Sequence, residues 1–301
     1  MSENYLGRQM AEHTVSSGEV DLAVRTGGNA SGPTLVMVHG FPDTQEMWDP
    51  LAERLSTDHY VITYDVRGAG GSTTPSHRDG YRTGRLVDDL VAVLDAVAPT
   101  GPVHLLGHDW GSVQLWDAVT SEGTDDRLRG RLASFTSISG PSLDHFGDFM
   151  RTARRTGHGK DALRQAAHSW YIAAFHVPYV PEWVFRRFGS RLRRSLNRSQ
   201  HLGDDPHWAL TFAADGMNGV NLYRANAFDR MRRGRPASTT VPVQVLVPVH
   251  DDFLIPALYH RLPRLVENLT MHEMDAGHWV ARTHPDEVAQ RVRLMTLRQV
   301  S

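Results

Sequence analysis

Short β-rich runs bounded by turn residues alternate along this chain with longer stretches whose apolar positions recur at helical spacing. The runs are TLVMVHG (34–40), YVITYD (60–65), VHLLGHD (103–109), SFTSISG (134–140), VQVLVPV (243–249) and LTMHEM (269–274). Helices are predicted between and after them at 48–55, 83–97, 110–120 and 284–298, the last opening with Pro285, Asp286 and Glu287, a favourable first turn. Strand alternating with helix predicts an α/β fold, a mostly parallel central sheet covered by helices on both faces. Ahead of it, EHTVSSGEVDLAVRTGG (12–28) predicts an antiparallel hairpin at one edge.

Between about 141 and 237 the strand pattern stops, and Trp, Tyr, Phe and Arg at helical spacing replace it. This predicts a helical insertion between two strands of one sheet. The chain then divides into a first core part (1–140), the insertion (141–237) and a second core part (238–301). The segment MRRGRPASTT (231–240) reads as the exit loop, and no internal repeat is present.

Composition adds constraints. With 301 residues, 40% hydrophobic and 22% charged, the chain has the make-up of a globular domain with room for an insertion. Its net charge of -2 gives no electrostatic case for nucleic acid. That average conceals an asymmetry: residues 141–237 carry 16 basic against 8 acidic side chains, so the insertion is basic and the remainder acidic. The absence of cysteine excludes disulfides, thiolate nucleophiles and cysteine-bound metals. The opening MSENYLGRQM lacks a basic end followed by an apolar run, and no apolar stretch reaches the ~18 residues of a membrane span. The expectation is an unsecreted, cytoplasmic protein that does not span a membrane.

Chemistry concentrates in LLGHDWGS (105–112). Gly107-His108-Asp109-Trp110-Gly111 follows an apolar strand and opens a helix, the setting of a nucleophile elbow, with Asp109 where a serine is usual. No Gly-x-Ser-x-Gly occurs in the chain to compete with it. Ahead of it, His39-Gly40-Phe41-Pro42 ends another strand, where the Phe41 amide can join that of Trp110 in an oxyanion hole. After it come Asp251, at a strand end, and His278, after the next strand, in the order nucleophile, acid, histidine. Any one of these would be unremarkable as a structural residue; three at carboxyl ends of strands in this order are not. Asp252 leaves the choice of acid open by spacing alone. Two other groupings are set aside. Gly68-Ala69-Gly70-Gly71 lacks the spacing of a dinucleotide site and reads as a turn, and His250 beside Asp251 and Asp252 has no second ligand group at recognisable spacing. Neither a cofactor nor a metal is expected.

These motifs, HGFPDTQEMW, DVRGAGGS, GHDWG, the Asp251 segment and GHW, together resemble an α/β-hydrolase of the epoxide hydrolase type over essentially the whole chain. The resemblance is greatest to the hydrolase module that some actinobacteria fuse to a short-chain dehydrogenase, and 31 arginines against the single Lys160 suit a GC-rich genome. The pattern Asp-x-aromatic-apolar-x-Pro (251–256) then favours Asp251 as the acid. The resemblance implies that the insertion is a lid supplying two tyrosines that bind the epoxide oxygen, and Tyr171 and Tyr223 stand at matching positions. Without it, both read as core or interface aromatics. Expected partners are a small epoxide, with a homodimer and a fused dehydrogenase domain as open alternatives.

An aspartate nucleophile has a chemical rationale. Serine attacking an epoxide would leave an ether that no histidine-activated water could cleave, whereas aspartate leaves an ester whose carbonyl belongs to the protein. A carboxylate of ordinary pKa ~3.9 also needs no base to ionise it. The implied reaction is epoxide to 1,2-diol through an ester on Asp109, with Tyr171 and Tyr223 supporting the departing oxygen. Water activated by His278 and Asp251 then cleaves the ester. Two alternatives stand beside it: a haloalkane dehalogenase using the same Asp109, although Phe41 occupies the place where that subfamily has Asn, and a non-catalytic ligand-binding protein on a hydrolase fold. The arginine-rich RRFGSRLRRSLNR (186–198) reads as a solvated face rather than a membrane or protein site.

Overall fold

The computed structural model describes residues 10–203, 208 and 210–297. Outside them lie most of the opening stretch examined for a leader, five positions of the insertion (204–207 and 209), and Arg298 at the end of the last predicted helix.

Eight strands form one sheet: β1 (Ala11–Ser17), β2 (Val20–Gly28), β3 (Thr34–Val38), β4 (Tyr60–Tyr64), β5 (Val103–His108), β6 (Leu132–Ile138), β7 (Val243–Pro248) and β8 (Leu269–Met274). Their spatial order is β1-β2-β4-β3-β5-β6-β7-β8. β1 and β2 are the expected hairpin and run antiparallel, as β2 does to β4; every later pairing is parallel. Burial follows strand pairing. In β2, an antiparallel strand, buried Val20, Leu22 and Val24 alternate with more open positions, while every residue of the parallel strands β5 and β7 is buried.

The helices are α1 (Asp49–Leu55), α2 (Thr83–Val97), α3 (Trp110–Ser121), α9 (Val280–Thr283) and α10 (Pro285–Leu297) around the sheet. Between β6 and β7 lie α4 (Leu143–Thr152), α5 (Gly159–His168), α6 (Trp170–Phe175), α7 (Val180–Ser199) and α8 (Phe212–Arg233). Alternate β3 residues divide the core in two. Val36 and Val38 join Leu86, Leu90, Leu94 and Trp116 of α2 and α3, while Leu35 and Met37 join Trp48, Leu51, Val288 and Val292 on the other face. Strand 34–40 ends two residues earlier than its apolar pattern suggests, because His39 and Gly40 already belong to the turn that carries Phe41.

Strand order fixes where a site can form. The chain steps from β3 outward to β4, then back to β5 on the other side of β3, so a crevice opens at the carboxyl ends of β3 and β5. The inserted helices are tied down beside it. Asn226 on α8 accepts the Thr83 amide (3.0 Å) and donates to the Tyr81 carbonyl (2.8 Å). Arg230 pairs with Asp117 and Asp144, each at 2.7 Å.

Candidate active site

At the end of β5 the backbone turns sharply into α3, and Asp109 adopts φ 50° and ψ -123°, a conformation that side chains other than glycine rarely take. The turn exists because its neighbours lack side chains. A Cβ on Gly111 would come within 2.0 Å of the Val38 carbonyl oxygen, and one on Gly140 within 2.2 Å of the Asp109 carbonyl oxygen. The result is a carboxylate at the switch-point crevice, at the amino end of α3, where the helix dipole favours negative charge. The Phe41 amide donates to its Oδ1 at 2.7 Å, and the Trp110 amide hydrogen-bonds the same carboxylate. The two amides expected as an oxyanion hole therefore converge on Asp109.

His278 lies in the turn between β8 and α9, and Asp251 in the loop after β7. The imidazole Nδ1 is 2.9 Å from Asp251 Oδ2, and Nε2 is 3.9 Å from Asp109 Oδ2, too far for a hydrogen bond. Asp251 Oδ1 accepts from the Phe253 (2.8 Å) and Leu254 (3.1 Å) amides, so both its oxygens are engaged. Asp252 instead accepts from Gln200 at 2.7 Å, so of the two neighbouring carboxylates it is Asp251 that meets the imidazole.

Burial and mutual charge set the protonation states. Burial pushes the Asp109 carboxyl up to about 6, against the opposing pull of His278 and the two amides. The group remains largely ionised at neutral pH, but with less margin than an exposed aspartate. Burial disfavours the charged form of Asp251 too, yet His278 and the surrounding hydrogen bonds outweigh it and hold Asp251 below the ordinary carboxylate value. For His278, burial opposes protonation, but the charge and hydrogen bond of Asp251, with Asp109 beyond, raise it above the ordinary histidine value.

Tyr171 on α6 and Tyr223 on α8 meet edge to face, ring centroids 5.8 Å apart, and their phenols are hydrogen-bonded. Tyr223 also accepts the indole N–H of Trp110. Burial and the nearby carboxylates raise both phenols well above their ordinary range, so both stay protonated. With Asp109 and His278 they line a cavity of about 790 Å³ whose remaining wall is largely apolar, including Phe175, Val184, Phe185, Leu192 and Leu196. A second, small hollow of about 50 Å³ touches Asp109 and both tyrosines from the other side. The structure thus brings Asp109, Phe41, Trp110, Asp251, His278, Tyr171 and Tyr223 together.

Two supporting residues escape the sequence reading. Ser139, at φ 48° and buried, hydrogen-bonds the Asp251 carboxylate. His108 places its ring against His278, centroids 4.7 Å apart, with Nε2 3.0 Å from the His278 carbonyl oxygen. Burial depresses His108 to about 3, so it is neutral and donates to that carbonyl from Nε2. Its place inside the elbow motif was the available signal; Ser139 had none beyond a strand end. The groupings set aside have structural uses. Gly71 donates its amide to Asp65 and Gly70 to Asp215, and His250 pairs with Asp275 at the surface. Among the described residues no cluster of three His, Cys, Asp or Glu is arranged to hold a metal.

The profile of the Alpha/beta hydrolase family matches residues 35–291. The "Probable oxidoreductase EphD" of Mycobacterium tuberculosis is 36% identical over 297 residues, covering 95% of this chain but 49% of that protein. The chain thus spans about half the length of these curated relatives. "Epoxide hydrolase 3" of Xenopus tropicalis is 24% identical, covering 88% of this chain and 72% of its own. Among solved structures, an epoxide hydrolase of Bacillus megaterium in complex with an inhibitor superposes with a TM-score of 0.79 at 21% identity, over 94% of this chain and 99% of that one. At that identity the likeness speaks for the fold.

Proposed function

The chain belongs to the α/β-hydrolase family, and from that premise we propose that it hydrolyses a lipophilic epoxide to a 1,2-diol through an ester on Asp109. The observation that carries the reading is the two-sided engagement of one carboxylate. Oδ1 is held by the Phe41 amide, while Oδ2 faces His278 without a hydrogen bond to it.

In the first half, Asp109 Oδ2 attacks a ring carbon, the ester C–O bond forms and the ring C–O bond breaks. The departing oxygen is supported by both phenols and takes a proton from one of them. In the second half, water gives a proton to His278 Nε2 and adds to the Asp109 carbonyl carbon. The oxyanion that develops on Oδ1 already has the Phe41 amide aimed at it, with the Trp110 amide on the same carboxylate, so little reorganisation is needed. Collapse expels the diol, which takes the proton back from His278. The carboxylic acid regenerated on Asp109 then ionises and its proton restores the tyrosine. Asp251 orients and stabilises the imidazolium, itself held by Ser139 and two amides.

On this reading residues 141–237 are a lid over the core parts 1–140 and 238–301, and the apolar wall selects a lipophilic substituent. A fused dehydrogenase domain agrees with the length of the EphD relatives, as a proposal for the full-length protein. The dehalogenase alternative needs donors free to cradle a halide, and the Trp110 indole N–H is committed to Tyr223. The test is a panel of aryl and alkyl epoxides alongside matched alkyl chlorides and bromides. Diol formation without halide release is expected; halide release, or saturable binding with no turnover, overturns the proposal.

A further inference from the structure

We infer that the outer face of α7, with the rim of the cavity beside it, docks on an anionic lipid surface. The helix has two unlike faces. Pro181, Phe185, Gly189, Leu192 and Leu196 recur at helical spacing and turn inward, three of them buried. On the opposite side Trp183, Arg187, Arg191, Arg194 and Arg198 form an exposed stripe, with Arg186 beside it. None of these arginines has a carboxylate partner among the described residues, whereas Arg224 and Arg230 of α8 are both paired. Arg187 and Arg191 stack on the Phe188 ring, which also meets Trp183 edge to face at 5.3 Å. Cations and aromatics are thus interleaved on one face, as at a membrane interface.

The apolar surface lies at the same place. Of the ten exposed large hydrophobic side chains among the described residues, eight are in the insertion. Trp170 (70% exposed) and Val180 (50% exposed) form the cavity rim, being both solvent-facing and part of its wall. Tyr179 (83% exposed) adjoins Val180, and Trp183 lies one turn along α7. A mouth with this rim gives a lipophilic molecule an apolar route from bilayer to cavity. Charge selects the occupant. A second copy docking by this face about a twofold axis would set arginine against arginine, whereas an anionic leaflet neutralises them. Among the described residues no helix is long and apolar enough to cross a membrane, so the association is peripheral. The sequence by itself reads this stretch as a solvated face; spacing does not show where the cavity opens, and the inference turns on that placement.

The test is flotation of the full chain with vesicles of phosphatidylglycerol and phosphatidylcholine, against phosphatidylcholine alone, at low and high salt. Binding to the anionic vesicles only, weakened by salt, is expected. The R187E/R191E/R194E/R198E variant should lose about 100-fold or more in partitioning, while turning over a small soluble epoxide at the parental rate. Equal binding to both vesicle types, no binding at low salt, or unchanged partitioning of the variant overturns the inference. So does a change of oligomeric state in the variant with no vesicle binding by the parent, which would assign the face to a second copy. The readout is partitioning, so its failure is separate from failure of the proposed reaction.

Discussion

The strand ends and the inserted helices both supply the cavity, but they hold their residues in different ways. The carboxylates of Asp109 and Asp251 are fixed through backbone: amides of Phe41, Trp110, Phe253 and Leu254 point at them, glycines permit close approach of chain to chain, and Asp251 in turn holds His278. Tyr171 and Tyr223 are held by rings, in contact with one another, with Phe175 and, for Tyr223, with Phe41 and Trp110. Carboxylates that stay charged need dipoles placed with sub-ångström precision, which backbone provides. Groups that shape a cavity for an apolar substituent can sit on helices whose side chains repack. The contrast gives graded consequences.

The largest effect is expected on the backbone-held side. Asp109→Ala should reduce turnover by about 10^4- to 10^6-fold with the circular dichroism spectrum and thermal midpoint retained, since the core does not depend on that carboxylate. Retained diol formation would break the account at its centre. On the ring-held side, Tyr171→Phe or Tyr223→Phe should each slow ester formation by about 100-fold, the scale of one lost donor at a developing oxyanion. The double variant should lose far more, because a single phenol can still support the oxygen. Parental ring-opening rates in the double variant, read by stopped flow, would remove the tyrosines from the mechanism.

The two modes of support can also be compared directly through glycines. Gly111→Ala drives a Cβ against the Val38 carbonyl, which cannot move without the sheet, and should lower stability by about 3 kcal/mol or prevent folding. Gly216→Ala on α8 meets the Phe185 ring at 2.2 Å, and a ring can turn. It should cost about 1 kcal/mol and alter the preference for bulky epoxides, because Phe185 lines the cavity. Thermal midpoints check both; equal losses would erase the distinction.

The smallest and most diagnostic effect is with pH. His278 must be neutral to accept a proton, and its value is raised, so kcat should climb as pH rises through a midpoint above the ordinary ~6.5. Asp109, ionising about 6, adds to the loss on the acid side. Both phenols are raised, so no decline is expected up to the ordinary phenol range near 10. A fall between pH 8 and 9 would contradict the assignment of the tyrosines as protonated donors.

Much of this was legible in the chain. Strands β5 and β7 are buried throughout and read as apolar runs, and the elbow announces itself because only glycines fit beside Val38 and the Asp109 carbonyl. The order Asp109, Asp251, His278 follows the ends of β5, β7 and β8 along the chain, which sequence records. Tyr171 and Tyr223 were visible only through family resemblance, since their meeting depends on how α6 and α8 pack. Ser139 acts through a positive φ, which has no compositional trace; Asp251 over Asp252 was favoured only by the family pattern, because spacing does not show which carboxylate turns inward. The arginines of α7 were readable as charges, but their place beside the cavity mouth was not.

The central claim is that one carboxylate carries the substrate as an ester that His278 must release. His278→Gln should therefore open the ring and stall. Mixed with a reactive epoxide, this variant should gain one full epoxide mass per chain by intact-protein mass spectrometry, mapped by digestion to the peptide containing Asp109. No covalent mass, or an adduct on any other residue, would contradict the account.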